Sequence, residues 1–115
     1  MFVDSLKFIK RTPMDMPGAV NVMKQVAVGK EEGWEDHVMR VFTITEMGNT
    51  PKHAHDWPHI NYIIKGEGIL FMDGKENPVS EGDVAFVPSN VEHQFKSTTE
   101  GEFTFICIVP NRGEY

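Results

Sequence analysis

A single cysteine, Cys107, leaves this chain without an internal disulfide, so nothing in it calls for an oxidising compartment. Long apolar runs are also missing: no stretch approaches the ~20 residues of a membrane-crossing helix. The segment "MFVDSLKFIKRTP" alternates charge with apolar residues where a secretory signal has an unbroken apolar core. A cytoplasmic protein with no membrane contact is expected. Positive charge is scarce, with 11 Lys and Arg against 17 Asp and Glu and a formal net charge of −6. Such a surface repels a phosphate backbone, so neither DNA nor RNA is an expected partner. Long helical periodicity, internal repeats and low-complexity segments are absent too.

What is present is 115 residues, 40 % of them apolar, the size of one domain able to bury its own core. β-branched and aromatic runs recur between Gly, Pro, Asn and Asp punctuation, which predicts an all-β sandwich or barrel. Strands are expected near 19–28, 37–47, 59–65, 68–73, 76–79, 83–88, 92–97 and 101–109. "KGEG" at 65–68 and "MDGKE" at 72–76 supply turns, and Pro88 ends the run from Val84 because proline has no N–H to give a ladder. The first 18 residues lack alternation and read as an arm that pairs with a partner subunit or lies on the barrel. The expected organisation is an arm and first strand over 1–35 and the barrel over 36–115.

Three of the five histidines fall within "HAHDWPH", residues 53–59. His53 and His55 are two apart, so on an extended chain both rings point to one face. From His59 onward the odd positions His59, Asn61 and Ile63 share a face whose parity is compatible with that of His53 and His55. His93, in "VEHQFKS", lies 34 residues beyond His59 and completes a set of four if a hairpin-built barrel carries it across. A lone His-X-His pair is more often a satisfied core or surface pair, but two further histidines in a β-rich chain make a metal site the stronger reading. Imidazole suits Mn, Fe, Ni, Cu or Zn, and four neutral rings leave the full divalent charge on the ion. A six-coordinate ion would keep two positions open for water, a bidentate oxygen substrate or dioxygen, whereas a closed tetrahedral zinc would keep none. His37 has no partner at ligand spacing and reads as a surface residue.

This pattern resembles the cupin superfamily, whose first motif runs G(X)5HXH(X)3,4E(X)6G and second G(X)5PXG(X)2H(X)3N. Gly48, His53, His55, His59 and Gly66 follow the first, with four residues rather than five after Gly48. Gly82, Pro88 and His93 follow the second, and the resemblance covers about residues 36–110. His59 stands where the family usually has glutamate, Asn90 where it has the second-motif glycine, and Ser97 where it has asparagine. The resemblance implies an all-β, single-domain cupin, a double-stranded β-helix or jelly-roll barrel. With histidine in place of glutamate, "HAHDWPHINYIIKG" and "EFTFICIVP" look like small bacterial manganese-binding cupins with four histidine ligands. Manganese is then the expected ion, with Fe, Ni, Cu and Zn as alternatives. Loss of the carboxylate removes a potential proton acceptor, so a mechanism needing that glutamate as base is not expected.

Other residues gather around this reading. Alternation in "EFTFICIVP" puts Phe103, Phe105, Cys107 and Val109 on one face, so an inward set would make Phe105 a pocket wall and bring Cys107 near the metal. Cys107 is then a small buried hydrophobe or a reactive thiol. Trp57 walls the pocket mouth or joins a dimer interface. Asn61 bonds a ligand or metal-bound water, or only satisfies backbone groups. Arg40, between apolar neighbours, pairs at the surface or points inward to bind an anionic substrate. Arg40, Asn61 and Cys107 are the candidate catalytic residues, and Trp57 and Phe105 the candidate pocket residues.

The leading expectation is a metal-dependent enzyme with oxygenase-type chemistry on a small molecule, working as a homodimer formed through exposed strand edges. An isomerase or lyase using the ion as Lewis acid would need a further proton-transfer group, for which Glu46, Tyr62 and His37 are the candidates. A non-catalytic module that binds a small ligand or metal is the alternative from another class.

Overall fold

The computed structural model describes residues 1–115. Nine strands form: β1 (Thr12–Pro13), β2 (Val20–Val28), β3 (His37–Asn49), β4 (His59–Lys65), β5 (Glu67–Met72), β6 (Lys75–Ser80), β7 (Val84–Val87), β8 (His93–Ser97) and β9 (Phe103–Pro110). The helical content is three single 3₁₀ turns, at Leu6–Phe8, Lys30–Glu32 and Asn111–Gly113. No helix is long and apolar enough to cross a membrane. Each of the eight expected strands forms, with its ends within two residues of those read from alternation. The addition is β1, a two-residue strand that pairs Thr12 with Lys24 and Pro13 with Met23. Nothing local announces it, because the register with β2 is what makes it a strand.

Strand pairing is antiparallel throughout, in the order β6-β5-β8-β3-β9-β4-β7, with β2 added to β3 and β1 to β2. The long strand β3 turns the corner of the barrel. Its residues His37–Ile44 pair with β9, whereas Asn49 pairs with Lys96 of β8. Between these partners Glu46 and Met47 adopt φ of 50° and 58°, which breaks the pleat and redirects the strand. There β2 passes so close that a Cβ on Gly48 would strike the Val20 carbonyl, a contact that glycine alone avoids. Asp73 and Gly74, at φ 50° and 79°, make the two-residue β5–β6 link, a geometry that matches strand twist.

Cross-strand rows build the interior. Phe42, Phe105 and Ile63 stand opposite one another on β3, β9 and β4, and all three are buried. One step along, Arg40, Cys107 and Asn61 form a polar row between apolar ones. As alternation predicts, Phe103, Phe105, Cys107 and Val109 all face inward. Phe95 of β8 closes the stack on Phe105, with ring centroids 4.0 Å apart. The N-terminal arm lies on its own barrel: buried Gln25 donates through Nε2 to the carbonyls of Leu6 at 2.8 Å and Ile9 at 2.9 Å. Burying such an amide requires partners of this kind.

Candidate metal centre

Extended chain at His53 is stitched to the start of β8, where His53 and His93 exchange backbone hydrogen bonds of 3.1 and 2.9 Å. The second-motif loop is tied down beside them, since the Asn90 N–H donates to the His55 carbonyl at 2.7 Å. Asn90 takes φ 66°, the left-handed conformation for which asparagine is the best substitute after glycine. These backbone contacts bring the ligand nitrogens of His53, His55 and His93 within 4.8 Å of one another. His59, the first residue of β4, approaches from another strand and sets its Nε2 3.2 Å from His93 Nε2.

Hydrogen bonds on the far side of three rings decide which nitrogen carries the proton. His55 Nδ1 faces the Trp57 carbonyl at 3.0 Å, and His93 Nδ1 faces the Val91 carbonyl at 2.8 Å. Carbonyl oxygens only accept, so each Nδ1 must hold the proton and donate. His59 Nδ1 meets Asn61 Oδ1 at 2.6 Å; the amide is oriented by its own Nδ2, which donates to the Ile106 carbonyl at 3.2 Å. The remaining Nε2 atoms are left as bare lone pairs, and on His59 and His93 two of them face each other at 3.2 Å. No proton is available between them, so the arrangement is repulsive until a cation sits there. The site fits a divalent ion on this ground.

Desolvation in the cavity wall holds His55, His59 and His93 at about 4 and lowers His53 as well. Crowding by neighbouring imidazoles adds to the effect at His53, His55 and His93, and the Arg40 charge adds to it at His53, His55 and His59. All four rings are neutral at physiological pH, the form a metal requires.

The histidines line a cavity of about 310 Å³. Phe42, Phe95 and Phe105 form its apolar wall, with Thr50 and Cys107 also on the surface. Trp57 lies flat on His55, ring centroids 4.4 Å apart and planes 5° from parallel, and borders the cavity. Met14 and Met16 of the arm and Gly113 of the C-terminal turn complete the border. Gly113 crosses so close to Trp57 that a Cβ would come within 2.7 Å of the indole nitrogen.

Arg40 points inward. Its side chain is only 12 % exposed, and Nη2 donates to Cys107 Sγ at 3.1 Å. Of the two sequence readings, the pairing partner exists, Glu114 at 3.5 Å, but the pair is largely buried rather than at the surface, and Arg40 shares the inward face of β3 with Val38, Phe42 and Ile44. Burial pushes the Cys107 thiol up, which keeps it protonated. Asn61 is fully buried behind His59 and is not on the cavity surface. Glu46, Tyr62 and His37 are exposed and lie off the cavity, and His37 packs on Trp34 at 5.4 Å. Sequence reasoning missed Phe42, Phe95, Met14, Met16 and Gly113. The parity of β3 that exposes Arg40 to the cavity also selects Phe42, and Phe95 lies two residues after His93 on the same face of β8; Met14, Met16 and Gly113 come from chain segments with no local signal of proximity.

The family profile described as "Cupin domain" matches residues 40–109. The chain is 33 % identical over 58 residues to an oxalate-binding protein from Thermotoga maritima, covering 50 % of this chain and 48 % of that protein. It thus spans about half the length of that relative. Among solved structures, the polyketide cyclase RemF from Streptomyces resistomycificus superposes with a TM-score of 0.89 at 24 % identity, over 96 % of this chain and 79 % of the cyclase. A protein described as a predicted oxalate decarboxylase, also from Thermotoga maritima, gives 0.84 at 23 % identity, over 95 % and 98 % of the two chains.

Proposed function

Because the chain belongs to the cupin domain family and carries a histidine cluster able to hold a divalent metal, we propose that it is a metal-dependent enzyme acting on a small molecule. His53, His55, His59 and His93 are its ligands, manganese is the expected ion, and the chemistry is of oxygenase type. The single observation that carries this reading is the pair of unprotonated Nε2 atoms facing each other at 3.2 Å between His59 and His93. A divalent ion held by these four residues would supply Lewis acidity and redox chemistry toward a small-molecule substrate.

The chain's own residues supply orientation and exclusion of water. Asn61 and the carbonyls of Trp57 and Val91 hold protons on Nδ1, which fixes each ring in its ligating tautomer. Phe42, Phe95 and Phe105 give the substrate an apolar wall. No carboxylate lines the cavity, and the three candidate proton-transfer groups lie outside it. That supports oxidation over isomerase or lyase chemistry, which needs a protein base. A second reading, binding without turnover, is favoured by the local similarity to an oxalate-binding protein.

Metal analysis of protein purified without chelator, followed by oxygen-uptake screening against small phenols, diketones and sulfur acids, tests both. Metal together with uptake supports the oxygenase; tight binding without turnover supports the second reading. Replacement His55→Ala is expected to lower metal content sharply while the barrel still folds. Normal metal occupancy in that variant would remove His55 from the ligand set.

A further inference from the structure

Arg40 is the one cation on the cavity surface, and its bonding is incomplete. A guanidinium has five N–H donors. Here Nη2 reaches Cys107 Sγ at 3.1 Å, Nη1 reaches the Gly113 carbonyl at 3.5 Å, and buried Nε has no partner. Its counter-ion is Glu114 of the C-terminal segment, with Nη1 3.5 Å from Oε1. That carboxylate is shared. Its other oxygen is held by Lys24 Nζ at 2.7 Å, the closer of the two ion pairs. Two cations therefore divide one carboxylate, and the cation left with the longer contact is the one facing the cavity. The guanidinium also lies over the Phe42 ring at 4.9 Å, so the cationic donor and the aromatic wall form one continuous surface.

We propose that Arg40 is an anion anchor and that the ligand of this cavity is a small aromatic or apolar carboxylate, its charged end on Arg40 and its body against Phe42, Phe95 and Phe105. This names the substrate class of the site described above and rests on the metal-centre reading only for whatever the far end of the ligand touches. Each part of the ligand answers a feature of the wall. A planar carboxylate matches the guanidinium fork through the N–H groups that Nη1 and Nη2 do not already spend on Gly113 and Cys107. The aromatic body replaces water against three phenyl rings. A volume of about 310 Å³ is at the lower end for small-molecule sites and limits the ligand to roughly a single ring with its substituents. Glu114 acts as an internal competitor, because it supplies Arg40 with the same functional group that the ligand would bring.

Benzoate and its uncharged isostere benzamide separate charge from shape. Each is titrated by calorimetry, with ligand-observed NMR for weak binding, into metal-loaded and chelator-treated full-length protein, the wild type beside Arg40→Gln and Glu114→Gln. The wild type is expected to prefer benzoate over benzamide by at least tenfold in both metal states. Arg40→Gln is expected to erase that preference at unchanged metal content. Glu114→Gln, which removes the competitor, is expected to raise benzoate affinity several-fold. Equal binding of the two probes by wild type, or retained preference in Arg40→Gln, overturns the proposal. If Arg40→Gln does not fold, the Glu114→Gln arm decides, and unchanged or weaker benzoate binding there overturns it. Protein that takes up no metal yet keeps the Arg40-dependent preference refutes the metal centre and leaves the anchor standing.

Discussion

Asn61 shares a cross-strand row with Cys107 and Arg40, and its amide spans two partners, His59 Nδ1 at 2.6 Å and the Ile106 carbonyl at 3.2 Å. Without it His59 is free to rotate or to change tautomer. Asn61→Ala is expected to weaken metal affinity by roughly 10- to 100-fold while the four imidazoles stay in place, measured by competition with a metal-binding dye. The titration of the rings gives a second expectation. In the metal-free protein His55, His59 and His93 titrate at about 4, against an ordinary value of 6.5. Between those values the unfolded chain binds protons that the folded chain refuses, so folding stability rises with pH across this window and is lost as pH falls from 6.5 toward 4. The urea midpoint of chelator-treated protein is expected to be lower at pH ~5 than at pH ~7. Equal midpoints would show the rings to be solvated.

Strand β9 illustrates how one element serves both stability and the site. Phe103, Phe105, Cys107 and Val109 alternate inward, and Phe105 packs on Phe42 at 5.6 Å and on Phe95 at 4.0 Å. Phe105→Ala is expected to cost about 3–5 kcal/mol, read from denaturant unfolding, and to enlarge the cavity on its apolar side. A loss below about 1 kcal/mol would mean that the neighbouring rings collapse to fill the space. The β9 strand was legible because Phe103 to Val109 is a short, nearly continuous run of β-branched and aromatic residues bounded by Gly101 and Pro110. Strand β3 was less legible. Val38, Val41, Phe42 and Thr43 are all buried, on both faces, so alternation alone leaves open which way Arg40 points. Its direction is set by pairing with Cys107 on β9, a contact between positions 67 residues apart.

At the scale of the molecule, the outer face of β4 and β7 presents Ile60, Tyr62, Ile64, Val84 and Phe86 to solvent, and β7 ends the strand order. An apolar face continuous with an open edge suits a second copy of the same chain. A dimer of twice the 13.1 kDa chain mass is expected by light scattering at micromolar concentration. Phe86→Glu is expected to shift it to monomer with metal content unchanged, and a monomeric wild type would count against the pairing. The sequence by itself determined the all-β class, nearly every strand and the histidine spacing, because period-two alternation, turn residues and a His-X-His pair are local properties of a chain. Only the tertiary structure decided that His93 closes on His53, that Arg40 faces the cavity, and that the C-terminal turn returns Gly113 to the cavity border and Glu114 to Arg40. These depend on register between distant strands, and register is fixed by the burial of whole faces rather than by any single segment.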